Sequence, residues 1–379
     1  MKKIKLGDAC EILNGFAFKS ENYVGSGIRV IRISNVQKGY IEDNTPAFYP
    51  LETKGLEKYM LEEGDLLISL TGNVGRVAIL EKEFMPAALN QRVACLRLKT
   101  DKLSKRYLFH ILNSDFFEKQ CIQYSKGVAQ KNMSTAWLKD YEILLYSKEQ
   151  QELIADILDK MHLIKKLRYY ELQKLDELVK ARFVEMFGDP VENTMNWPEI
   201  FIGDKCFVTK LAGFEYTQYI DYEESGEVVM VKAQNVKNGK LNRKNLSFIS
   251  KKVSDSLPRS QLAPGDVVMT YVGANIGDVA VIDDVYKYHL APNVAKIRPN
   301  AEVYNSIYFM YMLMLLNIYI VKNSADTAKA ALGMERIRKL KVFIPPLELQ
   351  NQFASFVEEV DKSRLLSNHS LFLIKSIIL

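Results

Sequence analysis

SKEQQELIADILDKMHLIKKLRYYELQKLDELVKARFVEMF, residues 147–187, runs without a glycine or a proline near the middle of the chain. Ser147 can accept from an amide one turn on while Gln150 reaches back to it, a capping box. At the other end Gly188 suits a left-handed C′ position, and Pro190 cannot continue a helix. Between these marks Leu153, Ile154, Ile157, Leu158, Met161, Ile164, Leu167, Leu172, Leu175, Leu178 and Val179 recur every three or four residues, on one face of a helix. Arg168 and Glu171 interrupt that stripe, which predicts a shift of register there. At 1.5 Å per residue such a helix is about 60 Å long. That exceeds an ordinary element of a compact domain, so the stripe is expected to be buried on a partner helix.

The partner is written in the same chain, because the sequence is duplicated. Leu6-Gly7-Asp8 with Cys10 returns as Ile202-Gly203-Asp204 with Cys206, and IRISNVQKG from Ile31 returns as VKAQNVKNG from Val231. LEEGDLLISLTGNVGRVAIL from Leu61 matches LAPGDVVMTYVGANIGDVAVI from Leu262, with one residue added in the turn. RVACLRL matches NVAKIRP, which sets Arg92 opposite Asn293, and Ile154-Ala155 matches Phe353-Ala354. Each copy reads as a globular α/β block followed by a long helix. The second helix starts after Pro345-Pro346 and carries Phe353, Val357, Val360 and Leu371 in its apolar stripe, as the first carries Leu153, Ile157, Met161, Ile164, Leu172 and Leu175. The two helices are expected to pack antiparallel, giving a dumbbell of approximate two-fold symmetry. The boundaries read as 1–146 for the first block, 147–190 for the central helix, 191–346 for the second block and 347–379 for the last helix. Inside each block the GD segment predicts a β-hairpin, with Leu66 to Leu70 and Arg76 to Leu80 around Gly72-Asn73-Val74-Gly75.

A chain of 379 residues with 48% hydrophobic content and no low-complexity tract is folded and holds two or three domains. Its four cysteines stand apart in no CxxC spacing and no secretory signal opens the chain, so a cytoplasmic location is expected. The apolar run from Ile307 to Val321 is too short for a bilayer, contains Asn317 and copies a helix of the first block, so it reads as a buried helix. The net charge of +5 is concentrated in the blocks, +4 over 1–147 and +3 over 191–346, while the long helices are balanced or slightly acidic. Two basic blocks suggest a polyanion held at two places.

Catalytic signatures are missing. The chain has no GxxxxGK[ST] loop, no HExxH, no clustered Cys/His set and no adenine methyltransferase motif, and His110, His162, His289 and His369 are scattered. Binding residues are better represented. No acid occurs between Glu227 and Asp255, where Lys232, Gln234, Asn235, Lys237, Arg243 and Lys244 accumulate. The first block has the same composition at the same place, with Arg29, Arg32, Asn35, Gln37 and Lys38, and adds Lys126, Gln130 and Lys131 in a second acid-free stretch. Lys and Arg suit phosphate, while Asn, Gln and Arg can bond base edges in pairs. Asn73 and Asn275 at the hairpin turns, with Arg92, complete the candidate contacts.

With LVKARFVEMFGDP at 178–190 closing a long helix, GDLL and GDVV in the blocks, and PP-L-x-x-Q through Gln350 opening the second helix, the chain resembles the specificity subunit of Type I restriction-modification systems along its whole length. The resemblance implies an α/β (α+β) fold: two pseudo-repeated target recognition domains separated by two long antiparallel coiled-coil helices. Each domain would read one half of a split double-stranded DNA site, and the helices would fix the gap. They would also dock two modification (methyltransferase) subunits that carry S-adenosylmethionine, while a restriction (motor) subunit cleaves. The chain itself would bind no cofactor and no metal and would not be an enzyme. Tyr146-Ser147 departs from Pro345-Pro346, and Leu349 stands where the first copy has Gln150. The residues alone leave open a stand-alone methyltransferase or nuclease, or a scaffold that ignores DNA.

Overall fold

The computed structural model describes residues 2–125, 132–324 and 332–378, with the side chains at 318–324, 369 and 371–378 left undescribed. The chain divides into two compact units, residues 1–169 with 368–379, and residues 170–367. Each unit contains one block and part of each long helix.

In the first block a short ribbon pairs β1 (Lys3–Lys5) with β9 (Glu142–Leu144). Between them the chain forms α1 (Leu6–Ala9), then β2 (Cys10–Asn14), β3 (Ile28–Ile31), β4 (Phe48–Tyr49), β5 (Leu66–Ser69), β6 (Val77–Ile79), β7 (Ala87–Leu89) and β8 (Val93–Leu98). Helices α2 (Lys105–Leu112), α3 (Asp115–Tyr124) and α4 (Thr135–Asp140) follow. Strands β2, β8, β5 and β6 make an antiparallel sheet, and β4, β3 and β7 a second one in which β3 and β7 run parallel. The hairpin is present, with Leu66 opposite Ile79. Every residue of β5 is buried because both faces of its sheet are covered. Leu66 and Ile68 meet Tyr107, Leu108 and Phe117 of the helices, whereas Leu67 meets Ile31 and Leu89 of the second sheet.

The second block repeats the plan. Strands β10 (Glu199–Phe201) and β21 (Lys341–Phe343) form the ribbon, and α6 (Ile202–Lys205) leads into β11 (Cys206–Lys210). After α7 (Gly213–Tyr219) come β12 (Val228–Val231), β13 (Val236–Lys237), β14 (Lys240–Leu241), β15 (Phe248–Ile249), α8 (Lys251–Ser256) and β16 (Gln261–Leu262). Then follow β17 (Val267–Thr270), β18 (Val279–Val281), β19 (Lys287–Leu290), β20 (Val294–Pro299), α9 (Ser306–Ser324) and α10 (Met334–Arg338). The antiparallel order β11-β20-β17-β18 copies β2-β8-β5-β6, and β12 runs parallel to β19 as β3 does to β7. Helix α9 takes up the apolar run, and Tyr308, Phe309, Met312 and Leu313 on it are buried. No helix among the described residues is long and apolar enough to cross a membrane.

The shared GD motif has a structural task. Gly64 and Gly265 adopt φ of +82° and +87°, which favours glycine. The Asp65 carboxylate accepts from the Glu62 amide (2.8 Å) and from Arg97 Nη2 (2.7 Å); Asp266 accepts from the Ala263 amide (2.8 Å) and from Arg298 Nη2 (2.7 Å).

Helix α5 spans Lys148–Phe187 with Ser147 as its cap: the Gln150 amide donates to Ser147 Oγ (3.3 Å), and the Ser147 amide donates to Gln150 Oε1 (3.2 Å). Gly188, at φ +80°, ends it. Helix α11 spans Leu347–Ile378. In the second unit the two helices run antiparallel, since Phe353 meets Phe183 and Phe187 while Arg364, further along, bonds Asp176 at 2.6 Å. Phe353, Val357 and Val360 are buried there, and Leu175 packs on the same core. Leu172 and Met161 are half-buried. The expected stripe is covered only in part in the first unit: Ile154, Leu158 and Met161 are half-buried, whereas Leu153, Ile157 and Ile164 are 60%, 49% and 45% exposed. The fully buried positions there are Gln151 and Ala155, to one side of the stripe. The side chain of Leu371 lies outside the described residues.

The first block is fastened to α5 by charge. Arg106 Nη2 donates to Asp156 at 2.6 Å and to Asp159 at 2.5 Å, and buried His110 sets Nε2 2.7 Å from Asp159 Oδ1. Burial holds the His110 imidazole below its ordinary value, against the pull of Asp159. The folded chain therefore takes up this proton less readily than the unfolded chain, and stability is expected to fall as pH drops below about 6.5. Thermal melting from pH 7.5 to 5 reads it as a drop of roughly 2–4 °C for each kcal/mol lost. His110→Gln should flatten that drop.

Candidate nucleic-acid interface

The loop after β3 and its copy after β12 are built on one asparagine each. Asn35 is buried; its Oδ1 accepts from the Arg32 amide (2.8 Å), and its Nδ2 donates to Glu42 O (2.9 Å) and Asp43 Oδ1 (2.8 Å). Asn235 repeats this with the Lys232 amide (3.1 Å), Asn242 O (2.9 Å) and Lys244 O (3.3 Å). In each, both Nδ2 hydrogens and one Oδ1 lone pair are engaged inside the loop, so the buried amide shapes the loop from within.

Several expected phosphate contacts are also occupied within the chain. Arg29 pairs with Asp43 and lies over the Phe48 ring at 4.9 Å. Arg32 donates to Thr45 O, and Arg243 pairs with Asp283. Lys38 sits between Asp115 and Glu118, and this bond holds the Asp115 carboxyl below the ordinary carboxylate range despite opposing burial. Lys232 Nζ donates to Ser247 Oγ (2.8 Å) and lies 5.8 Å from the Tyr222 ring. The side chains of Asn73, Arg92, Gln234, Lys237, Lys244 and Asn275 are exposed. Lys126, Gln130 and Lys131 lie outside the described residues.

One end of each four-stranded sheet gathers the exposed group. In the first block the Leu70 amide donates to Arg92 O (2.9 Å), the Gln91 amide to Phe16 O (2.9 Å) and the Met133 amide to Leu70 O (2.8 Å). The Gly39 amide donates to Val77 O (2.8 Å), and Arg76 donates to Gln37 Oε1. Asn73 and Arg92 thus share one edge with Gln91 and Asn132, beside half-buried Gln37, whose amide is engaged by Arg76 and by Ser34 O. In the second block the Tyr271 amide donates to Asn293 O (2.9 Å), the Leu332 amide to Tyr271 O (2.8 Å) and the Gly239 amide to Val279 O (2.9 Å). Lys237 and Asn275 are joined there by Asn293 and by Lys210, whose Nζ lies 5.4 Å from the Tyr271 ring. Asn132 belongs to the acid-free stretch that also holds Lys126, Gln130 and Lys131, whereas sequence reasoning missed Arg76, Gln91, Lys210 and Tyr271, which lie singly in turns and strand ends rather than in a run of basic and amide residues. Pairing across the repeat, as for Arg92 and Asn293, is the signal that would find them.

The two edges share a backbone plan and differ in chemistry. Arg76 corresponds to Asp278, and Gln37 to Lys237. Burial holds the Asp278 carboxyl above its ordinary value, opposed by Lys237. The two surfaces therefore present donors and acceptors in different arrangements, the property by which base edges are discriminated. Among the described residues no group of His, Cys, Asp and Glu is placed to hold a metal ion.

A family model described as "Type I restriction modification DNA specificity domain" matches residues 1–176 and 195–374. The chain is 23% identical over 385 residues to the Type I restriction enzyme EcoBI specificity subunit of Escherichia coli, covering 94% of this chain and 78% of that protein. It is 23% identical over 383 residues to the putative Type I restriction enzyme MjaX specificity subunit of Methanocaldococcus jannaschii, covering 94% and 86%. Its fold is similar to that of the Type-I restriction-modification system S subunit from M. genitalium, with a TM-score of 0.59, 15% identity and coverage of 100% and 93%.

Proposed function

The chain belongs to the Type I restriction modification DNA specificity family, and from that premise we propose that it is the non-catalytic subunit that recognises a bipartite DNA target and directs methylation and restriction by its partners. The observation that carries this reading is the duplicated edge: the same backbone arrangement presents Asn73 and Arg92 on one block and their counterparts Asn275 and Asn293 on the other. Residues 1–146 and 191–346 act as the two readers, and the helices act as the spacer. The methyl donor S-adenosylmethionine belongs to a modification subunit, two of which join the complex along with a restriction subunit, in the cytoplasm. An exposed apolar row on α5, Leu153, Ile157, Ile164 and Leu167, supports a partner protein along that helix.

Purified chain with labelled methyl donor should leave DNA unmethylated alone and methylate it once a modification subunit is added. Methylation by the chain alone would overturn the reading in favour of an enzyme. Binding should also weaken roughly thousandfold between 50 and 200 mM salt if about six phosphates are neutralised. A mobility shift titrated over that range checks this, and no shift at low salt with partners present would favour a scaffold that ignores DNA.

A further inference from the structure

Gln151 is the fourth residue of α5 and Gln350 the fourth residue of α11, and both are fully buried. Gln151 Oε1 accepts from the Ser104 amide at 2.7 Å, and its Nε2 donates to Lys102 O and Tyr146 O, each at 2.9 Å. Gln350 Oε1 accepts from the Asn305 amide at 2.9 Å, and its Nε2 donates to Val303 O at 2.9 Å and Pro345 O at 2.8 Å. The repeat pairs Ser104 with Asn305, Lys102 with Val303 and Tyr146 with Pro345, so the two networks match bond for bond. The partner side chains differ completely, and the bonds go to backbone. Only the glutamine is the same. This accounts for the tolerance of Tyr146-Ser147 in place of Pro345-Pro346, since either residue supplies the carbonyl.

Three bonds from one planar amide reach two segments: the loop before the helix that packs on the sheet, and the joint between the ribbon strand and the spacer. They fix how the long helix is rotated and tilted where it leaves its block. Precision at this root matters because the helix is a lever. At 1.5 Å per residue, a tilt of about 6° displaces a point twenty residues along by roughly 3 Å, close to one base-pair step of DNA. Half-site spacing is a geometric consequence of protein shape.

Building on the specificity-subunit reading, we infer that Gln151 and Gln350 are positioning residues that set the length of the gap between the two half-sites. They touch no DNA, so the bases read in each half do not depend on them.

The test uses the full chain with its modification subunit on a set of duplexes that carry both half-sites at the native gap and at gaps one or two base pairs shorter or longer. Gln151→Leu and Gln350→Leu keep the side-chain volume and remove the bonds. Each is expected to raise methylation at a gap changed by one base pair at least tenfold relative to the native gap, with the half-site sequences unchanged. Leu108→Ala, a core change outside the two glutamine networks, should lower methylation equally at every gap. Equal loss at every gap in both glutamine variants, an unchanged gap preference, or altered half-sites overturns the inference. If the unsubstituted complex discriminates no bipartite site, the proposed function fails first, and the two failures are thereby told apart.

Discussion

Exchange of residues 1–146 for the corresponding block of another family member is expected to replace one half of the methylated site and to leave the other half and the gap unchanged. The reason lies in how contacts are distributed: the first edge is assembled from residues 16–133 and the second from residues 210–332, with no segment shared. A mismatched base pair costs about 1–3 kcal/mol, so a half-site of some three base pairs gives roughly a hundredfold or greater preference. Sequencing methylated adenines in cells carrying the hybrid and the modification subunit reads the result. A change in both halves would show that the blocks do not read independently.

Phe187→Ala is expected to have the largest effect on stability. Its ring is fully buried, 4.6 Å from Tyr308, 5.0 Å from Phe183 and 5.6 Å from Phe353, so it joins the end of α5 to α9 and to the start of α11. Removing a buried phenylalanine costs roughly 3–5 kcal/mol, which corresponds to a melting shift of about 10 °C for a unit of this size. Calorimetry of the full chain should show one transition shifted by that amount. Leu153→Ala, at an exposed apolar position on the same helix, should stay within about 0.5 kcal/mol. Equal shifts from the two substitutions would mean that the aromatic cluster does not hold this root together.

The duplication was legible because it is written in matching strings, and the caps of α5 because they are local: Ser147, Gln150 and Gly188 act on atoms within a turn of themselves. The hairpin around Asn73 was legible for the same reason. The GD motif identified the copies, yet its meaning, a buried carboxylate closing a turn onto Arg97 or Arg298, needed strands that are distant in sequence.

Composition placed positive charge in the right blocks but could not tell which cations face outward. Asp43, Asp115 and Asp283 lie outside the acid-free stretches and return through the fold to pair with Arg29, Lys38 and Arg243. Periodicity likewise marked α5 as amphipathic without deciding which side of its broad apolar stripe would be covered: it included Leu153 and Ile157 together with Ile154 and Leu158, and packing took the second pair with Ala155. Gln151 was marked only through its repeat counterpart Gln350 in PP-L-x-x-Q, and its role stayed hidden because its partners are backbone groups that every sequence has. The sequence by itself determined the repeat, the helices and their limits, because those depend on neighbours along the chain. The tertiary structure alone decided which charges stay unpaired by the acids of the fold and which amides are buried, because pairing and burial are set by segments that meet only on folding.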